Sequence, residues 1–358
     1  MEKKYSLTNE SKIVDGHTVY RIIAEKNFSH VKKGTLGGFV ESENNLSHEG
    51  VCWIYGNASI CGDARVYENA TVYDNAQVRD HALIYGNATV CDDVVIAWNA
   101  EVSGNALIYG NARVFDNAKI FGYARVSDNT TVHDNARIYD CAQVCDNAKI
   151  FGCARIYNYA EVFDDAEVFG DAKIFGYADV YGCAIVYNEA QVYDDAQICG
   201  NATVCGNAMV YGCAIVDGVS RLYDNAVVNQ EMTIKNAFVS CALSDNLVES
   251  IRCQTGLGVF DNKVIAYKQI NKDMTSFHDR HFKYEVGKII EIEDAEISNK
   301  SCASGLHFSN MNYWNREVGE NTGYLMAEID IKDVITVQQG KIRCKRAKIL
   351  GVYIYEKK

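Results

Sequence analysis

The chain has 358 residues, a formal net charge of −12 and no proline. That acidity argues against duplex nucleic acid as a partner, because phosphate-backbone binders carry basic domains. No run of eighteen apolar residues is available to cross a membrane, and no apolar export core follows Lys3 and Lys4, so the expectation is a cytoplasmic protein with no membrane partner. The first predicted element is a hairpin over Ser11–Ile22, with Asp15-Gly16 as its turn. It falls within residues 1–50, which read as an N-terminal β cap.

From Ile54 to Ile234 an aliphatic residue recurs at every sixth position without insertion or deletion. Four residues after each stands a small residue, almost always Ala, and between them lies a pair such as Gly56-Asn57 or Asp164-Asp165. Alternation of Ala and Val with variable residues has the period of a strand with one buried face, whereas a helix would need apolar spacing near 3.6. Gly, Asn and Asp tolerate the left-handed backbone of a tight corner. Three such units close a triangular coil of eighteen residues, and stacking the coils buries a continuous core that one coil alone could not. The expectation is a mainly β protein, with a parallel β-helix of about ten coils over residues 51–240. Absence of proline agrees with a backbone whose N–H groups are spent in ladders. The fourteen cysteines include no Cys-x-x-Cys pair and mostly occupy variable repeat positions, which reads as free thiols in a reducing compartment.

The unit resembles the hexapeptide-repeat family of left-handed β-helices, many of whose members are trimeric acyltransferases. The left hand is implied by that resemblance alone. The stretch from Asn27 to Ala58, through Gly34, Gly37-Gly38, Leu46-Ser47, Gly50 and Cys52-Trp53-Ile54, is similar to the opening of YdcK-like repeat proteins, which are labelled putative acetyltransferases. Bottom-up, these residues make a cap: glycines for sharp bends, and Trp53 to cover the first coil.

Outward columns appear on stepping eighteen residues. One face carries Tyr67, Tyr85, Phe121, Tyr139, Tyr157, Phe175, Tyr193 and Tyr211, interrupted by Ser103. Beside it the same strands place Lys119, Arg137, Arg155 and Lys173 on four consecutive coils. Stacked rings stabilise a sheet, and exposed rings beside like charges invite a covering partner. A protein partner or self-association is the first expectation, with a glycan or an anionic polymer as alternatives. A corner row of Asp128, Asp146 and Asp164 is read as corner chemistry, with no metal expected.

The acyltransferase relatives use a His base near a loop that interrupts the coils. Here no loop interrupts them, and the repeat holds only His81 and His133, on no common column. Fold does not carry function without the residues, so acetyl-CoA enters only if this alternative holds, and no cofactor is expected otherwise. His133 is kept as its candidate base.

Residues 245–358 read as an α+β domain, with strands expected around Thr255–Tyr267, Phe282–Lys288, Tyr324–Ile331 and Lys341–Leu350. The motifs Tyr267-Lys268, Phe282 to Lys288, Cys302 to Phe308, Asp333 to Ile335 and Gly340 to Cys344 resemble an uncharacterised domain attached to repeat proteins in large DNA viruses, phages and bacteria. No activity comes with that resemblance. Tyr267, His278, His281, Cys302, His307 and Glu328 are the candidate cleft residues. His307 is the one candidate for catalysis among them, in a nucleotide-using transferase as second alternative. The leading expectation is a non-enzymatic scaffold or binding protein.

Overall fold

The computed structural model describes residues 3–223, 225–229, 232–236, 238–239, 247–276, 281–292, 305–314, 322–338 and 340–354. These fall into two compact units, Met1–Val219 with Gln230–Lys235, and Ser220–Asn229 with Asn236–Lys358.

The first unit opens with the expected hairpin, longer than its sequence signal: strands Tyr5–Val14 and His17–Ala24 pair antiparallel around Asp15 (φ 48°) and Gly16 (φ 85°). Strand Leu36–Val40 then pairs antiparallel with His17–Ala24 on one side and parallel with Ser59–Ile60 on the other. The cap therefore extends one face of the solenoid by three strands, which satisfies that sheet's first edge. Trp53 is fully buried, with the edges of Phe28 and Tyr5 at ring-centroid distances of 5.3 and 6.3 Å. The cap glycines divide by role. Gly34 and Gly50 bend the chain at φ 87° and 64°, but Gly37 is there for closeness, since a Cβ would lie 2.5 Å from Ile22 and 2.7 Å from Trp53.

The repeat forms a parallel β-solenoid with an eighteen-residue period. Each unit sends three backbone N–H groups to the coil ahead, as in Arg137 N–H to Ala154 O (2.9 Å), Tyr139 N–H to Ile156 O (3.0 Å) and Cys141 N–H to Asn158 O (2.8 Å). The repeated aliphatic residues and their Ala partners line the interior, and both are fully buried along the run. Thr130 takes an Ala position and donates its hydroxyl to Val144 O at 3.4 Å, so the buried oxygen is not left unpaired. One face runs through eleven strands, from Trp53–Ile54 to Thr233–Lys235, so the solenoid has about eleven turns where counting units gave about ten. The difference is one of end counting: that face holds both the first and the last aliphatic position of the repeat run, Ile54 and Ile234.

Corners explain the turn residues. The first corner residue sits in the left-handed region in coil after coil, as at Asp128 (φ 57°), Asp146 (φ 58°) and Asp164 (φ 57°). Its N–H is accepted by the carboxylate eighteen residues earlier: Asp146 N–H by Asp128 at 3.5 Å, Asp164 N–H by Asp146 at 3.2 Å and Gly182 N–H by Asp164 at 3.0 Å. The second corner residue builds amide ladders, with Asn69 donating to Asn87 at 3.0 Å and Asn87 to Asn105 at 3.1 Å.

In the second unit, Arg221–Leu222 pairs parallel with Phe238–Val239, seventeen residues on instead of eighteen. The missing residue is absorbed near Asn236, which takes φ 55°. Beyond helix Leu247–Thr255 lie two antiparallel sheets. One has the order Val259–Phe260, Lys263–Asn271, Thr322–Asp330, Arg346–Ile354, Ile289–Glu291, and the other Leu306–Phe308, Lys341–Cys344, Val334–Gln338. The expected hairpin is present, but Thr255 ends the helix and the turn is Asp261-Asn262 (φ 48° and 59°). Lys341–Leu350, read as one strand, is two strands in different sheets, broken at Lys345. Phe282–Lys288 supplies only an isolated bridge, Lys283 to Thr275, and the strand begins at Ile289.

Candidate functional site

The ring column of the first unit is a true stack. Tyr67 and Tyr85 lie 4.9 Å apart, and Phe121, Tyr139, Tyr157, Phe175, Tyr193 and Tyr211 follow one another at 4.8–4.9 Å, within 6° of parallel. Ser103 breaks the column in two. Strand register fixes this geometry, because residues of adjacent coils pair directly and their side chains emerge on the same side. Rings inside the longer segment, such as Tyr139 and Tyr157, spend both faces on their neighbours and turn an edge to solvent, whereas Tyr67 stacks on one side only. A glycan, which packs on ring faces, finds few of them free.

On the same strands, Lys119, Arg137, Arg155 and Lys173 stand in register. Lys119 pairs with Glu101 at 2.8 Å. Among the described residues no ion pair includes Arg137, Arg155 or Lys173, and both arginines are exposed. Burial raises the Tyr139 phenol above its ordinary range, while Arg155 and Arg137 pull it the other way. The cations therefore act on the rim of the ring stack. Just past the rings, at the next corner, Tyr123, Tyr159 and Tyr177 are exposed to 64, 53 and 60 %, where earlier coils have the Asn ladder. Tyr159 and Tyr177 stack at 4.9 Å.

His133 lies in a second column, clamped between Phe115 at 5.1 Å and Phe151 at 5.0 Å. Its Nδ1 is 3.4 Å from Asp134. Ligand atoms of Asp116, His133 and Asp134 lie within 4.8 Å of one another, but both carboxylates already accept corner N–H groups, from Asp134 at 3.2 Å and Gly152 at 2.9 Å. His81 pairs with Asp63 at 3.3 Å on an exposed corner.

In the second unit, His307 is joined by residues the sequence had not singled out. Arg343, 1 % exposed, donates Nε–H to His307 Nε2 at 3.1 Å, and Lys268 donates to His307 O at 3.4 Å. Accepting from a guanidinium leaves the proton of a neutral His307 on Nδ1. Tyr267 bonds Ser309 through its backbone in both directions and takes the Trp314 indole N–H on its carbonyl at 2.8 Å. Glu328 is held elsewhere, by Lys263 at 2.9 Å. His281 is exposed, and His278 and Cys302 lie outside the described residues.

One feature of the first unit had no sequence signal at all. Where the chain leaves the coil between Ser47 and Val51, it opens a hollow of about 500 Å³ beside Tyr67. Buried Lys4 braces this bend, donating to Cys52 O (3.0 Å), Cys52 Sγ (3.1 Å) and Glu49 O (3.3 Å), and burial lowers its pKa.

Residues 264–355 match the family described as a domain of unknown function, DUF7666. Residues 64–80 and 196–212 match the YdcK beta solenoid repeat. No curated protein matches the chain. The chain is a YdcK-like β-solenoid repeat protein that carries a C-terminal domain of unknown function.

Proposed function

We propose that the solenoid is a non-enzymatic binding scaffold whose ring-and-cation face takes an acidic protein partner. The observation that carries this reading is the strip Arg137, Arg155 and Lys173: three stacked cations outside any ion pair among the described residues, on a chain of net charge −12. Like charges about 4.8 Å apart repel one another, and an anionic surface across them removes that cost. Two copies meeting through this face would set cation against cation, so an acidic partner is favoured over symmetric self-pairing. Against acyl transfer stands the setting of His133, whose ring is stacked face to face between Phe115 and Phe151.

The test uses poly-L-glutamate as the probe. The full chain should bind it at low salt and release it as salt rises, although both are acidic. The triple variant Arg137→Glu, Arg155→Glu, Lys173→Glu should lose that binding while keeping its β signal in circular dichroism. Equal retention of the variant and the parent chain would sink the proposal.

A further inference from the structure

The ring column ends at Tyr67. One of its faces stacks on Tyr85 at 4.9 Å and 5°. On its other side the register slips: Leu46 bridges Val66 in parallel, so the residue beside Tyr67 is Ser47, which carries no ring, and Glu49 lies in the bend beyond it. Ser47 N–H still bonds Val66 O at 2.9 Å, and the next ladder bonds, from Val51 and Cys52 N–H, both converge on Glu68 O at 2.9 Å. The hollow of about 500 Å³ opened by that bend is lined by Glu43, Ser47, His48, Arg65, Tyr67 and Leu83, and its size is that of a small-molecule site.

Its polar groups have a definite arrangement. Arg65 is exposed, and no ion pair among the described residues includes it. Residues 65 and 67 lie on the same side of one extended segment, about 6.6 Å apart along it. Glu43 is paired with Lys3 at 2.6 Å, and that bond holds its carboxyl below the usual range, so its charge is present and already balanced. His48 Nδ1 accepts the Lys4 backbone N–H at 3.2 Å, which leaves the proton of a neutral ring on Nε2. That Nε2 is buried, lies 3.6 Å from Glu43, too long for a hydrogen bond, and has no hydrogen-bond partner among the described residues. Glu43 is balanced by Lys3, and Arg65 is the cation among the lining residues, while Glu68 and Glu101 also act on Tyr67.

We infer that this hollow binds a mononucleotide, its base continuing the ring stack on Tyr67 and its phosphate paired with Arg65. The base takes the place of the absent ring, and stacking does not depend on which base it is. The guanidinium meets the phosphate oxygens with paired N–H groups. The Glu43 carboxylate lines the same hollow. This site is separate from the cation strip and stands on its own observations.

The experiment is calorimetric titration of the full chain with adenosine monophosphate, adenosine and inorganic phosphate. Adenosine monophosphate should bind at one equivalent, with adenosine about tenfold weaker and phosphate weaker still. Arg65→Ala, an exposed substitution, should cost about tenfold for the monophosphate and leave adenosine unchanged. Tyr67→Ser should abolish both, while Tyr139→Ser, four coils away, should preserve both. Failure of the monophosphate to bind at millimolar concentration overturns the inference. So does phosphate binding as tightly as the nucleotide, or an Arg65→Ala chain that binds like the parent. If Tyr67→Ser does not fold, the Arg65→Ala comparison decides alone.

Discussion

Replacing Ile156 by Ala tests the solenoid where its core is most regular. Ile156 is fully buried, in register with Ile138 on one coil and Ile174 on the other. The change removes three carbons, worth about 2.4 kcal/mol of transfer free energy at ~0.8 kcal/mol each. It also leaves a void on the order of 70 Å³, which adds about 1.7 kcal/mol if the surroundings do not close in. They have little freedom to do so. Arg155 N–H is tied to Ala172 O at 2.9 Å and Tyr157 N–H to Ile174 O at 3.0 Å, so the coil cannot collapse inward without breaking its ladder. The cost should therefore approach 4 kcal/mol. Because each coil touches only its neighbours, it should appear locally, as amide exchange faster by roughly a thousandfold in the coils from Ile138 to Ile174. Coils around Val78 and Val204 should exchange as before. Hydrogen–deuterium exchange with mass spectrometry reads this directly, and Ile156→Val, expected to cost ~1 kcal/mol, is the graded control. Less than tenfold local acceleration, or uniform acceleration along the whole chain, would refute the reasoning.

Ser103→Tyr should join the two halves of the ring column by adding contacts to Tyr85 and Phe121, and stabilise those coils by about 1–2 kcal/mol; exchange there that is unchanged or faster counts against it. The thiols of Cys61, Cys91 and Cys145 are each pushed up to about 11, chiefly by burial. A raised thiol pKa stabilises the fold fully below the unfolded value near ~8.5 and loses that contribution as pH climbs through 11. The urea midpoint should therefore fall between pH 9 and 11, and fall less in a variant with all three cysteines changed to Ala; identical profiles would exclude the effect. Tyr159→Asn with Tyr177→Asn returns the corner to the ladder residue of earlier coils, so thermal stability should hold while poly-L-glutamate binding weakens. A variant that binds as before would show that the corner rings lie outside the partner surface.

Period alone made the solenoid legible, because one buried aliphatic residue and one buried Ala per six positions admit no other regular packing. The column of rings was equally plain, since a parallel register of eighteen converts sequence spacing into contact. What could not be read was everything set by departures from the repeat. Lys4 looks like a solvated terminal residue, yet the cap folds back so that its ammonium is buried against Cys52 and Glu49. Gly37 looks like a bend, but its lack of a side chain admits Ile22 and Trp53. The hollow beside Tyr67 needs the Ser47–Val51 path, which no local propensity specifies. In the second unit, Arg343 and Lys268 reach His307 from strands far apart in sequence, so no spacing rule could have grouped them.

The repeat dictates its interior and most of its corners, and residues that the fold requires say little about function. Information about partners lies where the chain departs from those requirements at its own expense. Three departures coincide along one stretch of one face. The Asn ladder that runs through Asn69, Asn87 and Asn105 gives way to Tyr123, Cys141, Tyr159 and Tyr177, with the three tyrosines more than half exposed. The cations Arg137, Arg155 and Lys173, outside any ion pair among the described residues, occupy the same coils, and the unbroken part of the ring stack, from Phe121 to Tyr211, runs between them. Each departure taken singly costs the free chain something: an amide ladder, a balanced charge, or apolar surface left in water. On the proposed reading, the partner that offsets all three together is acidic, elongated along the solenoid axis, and able to cover ring edges while its carboxylates meet the cations.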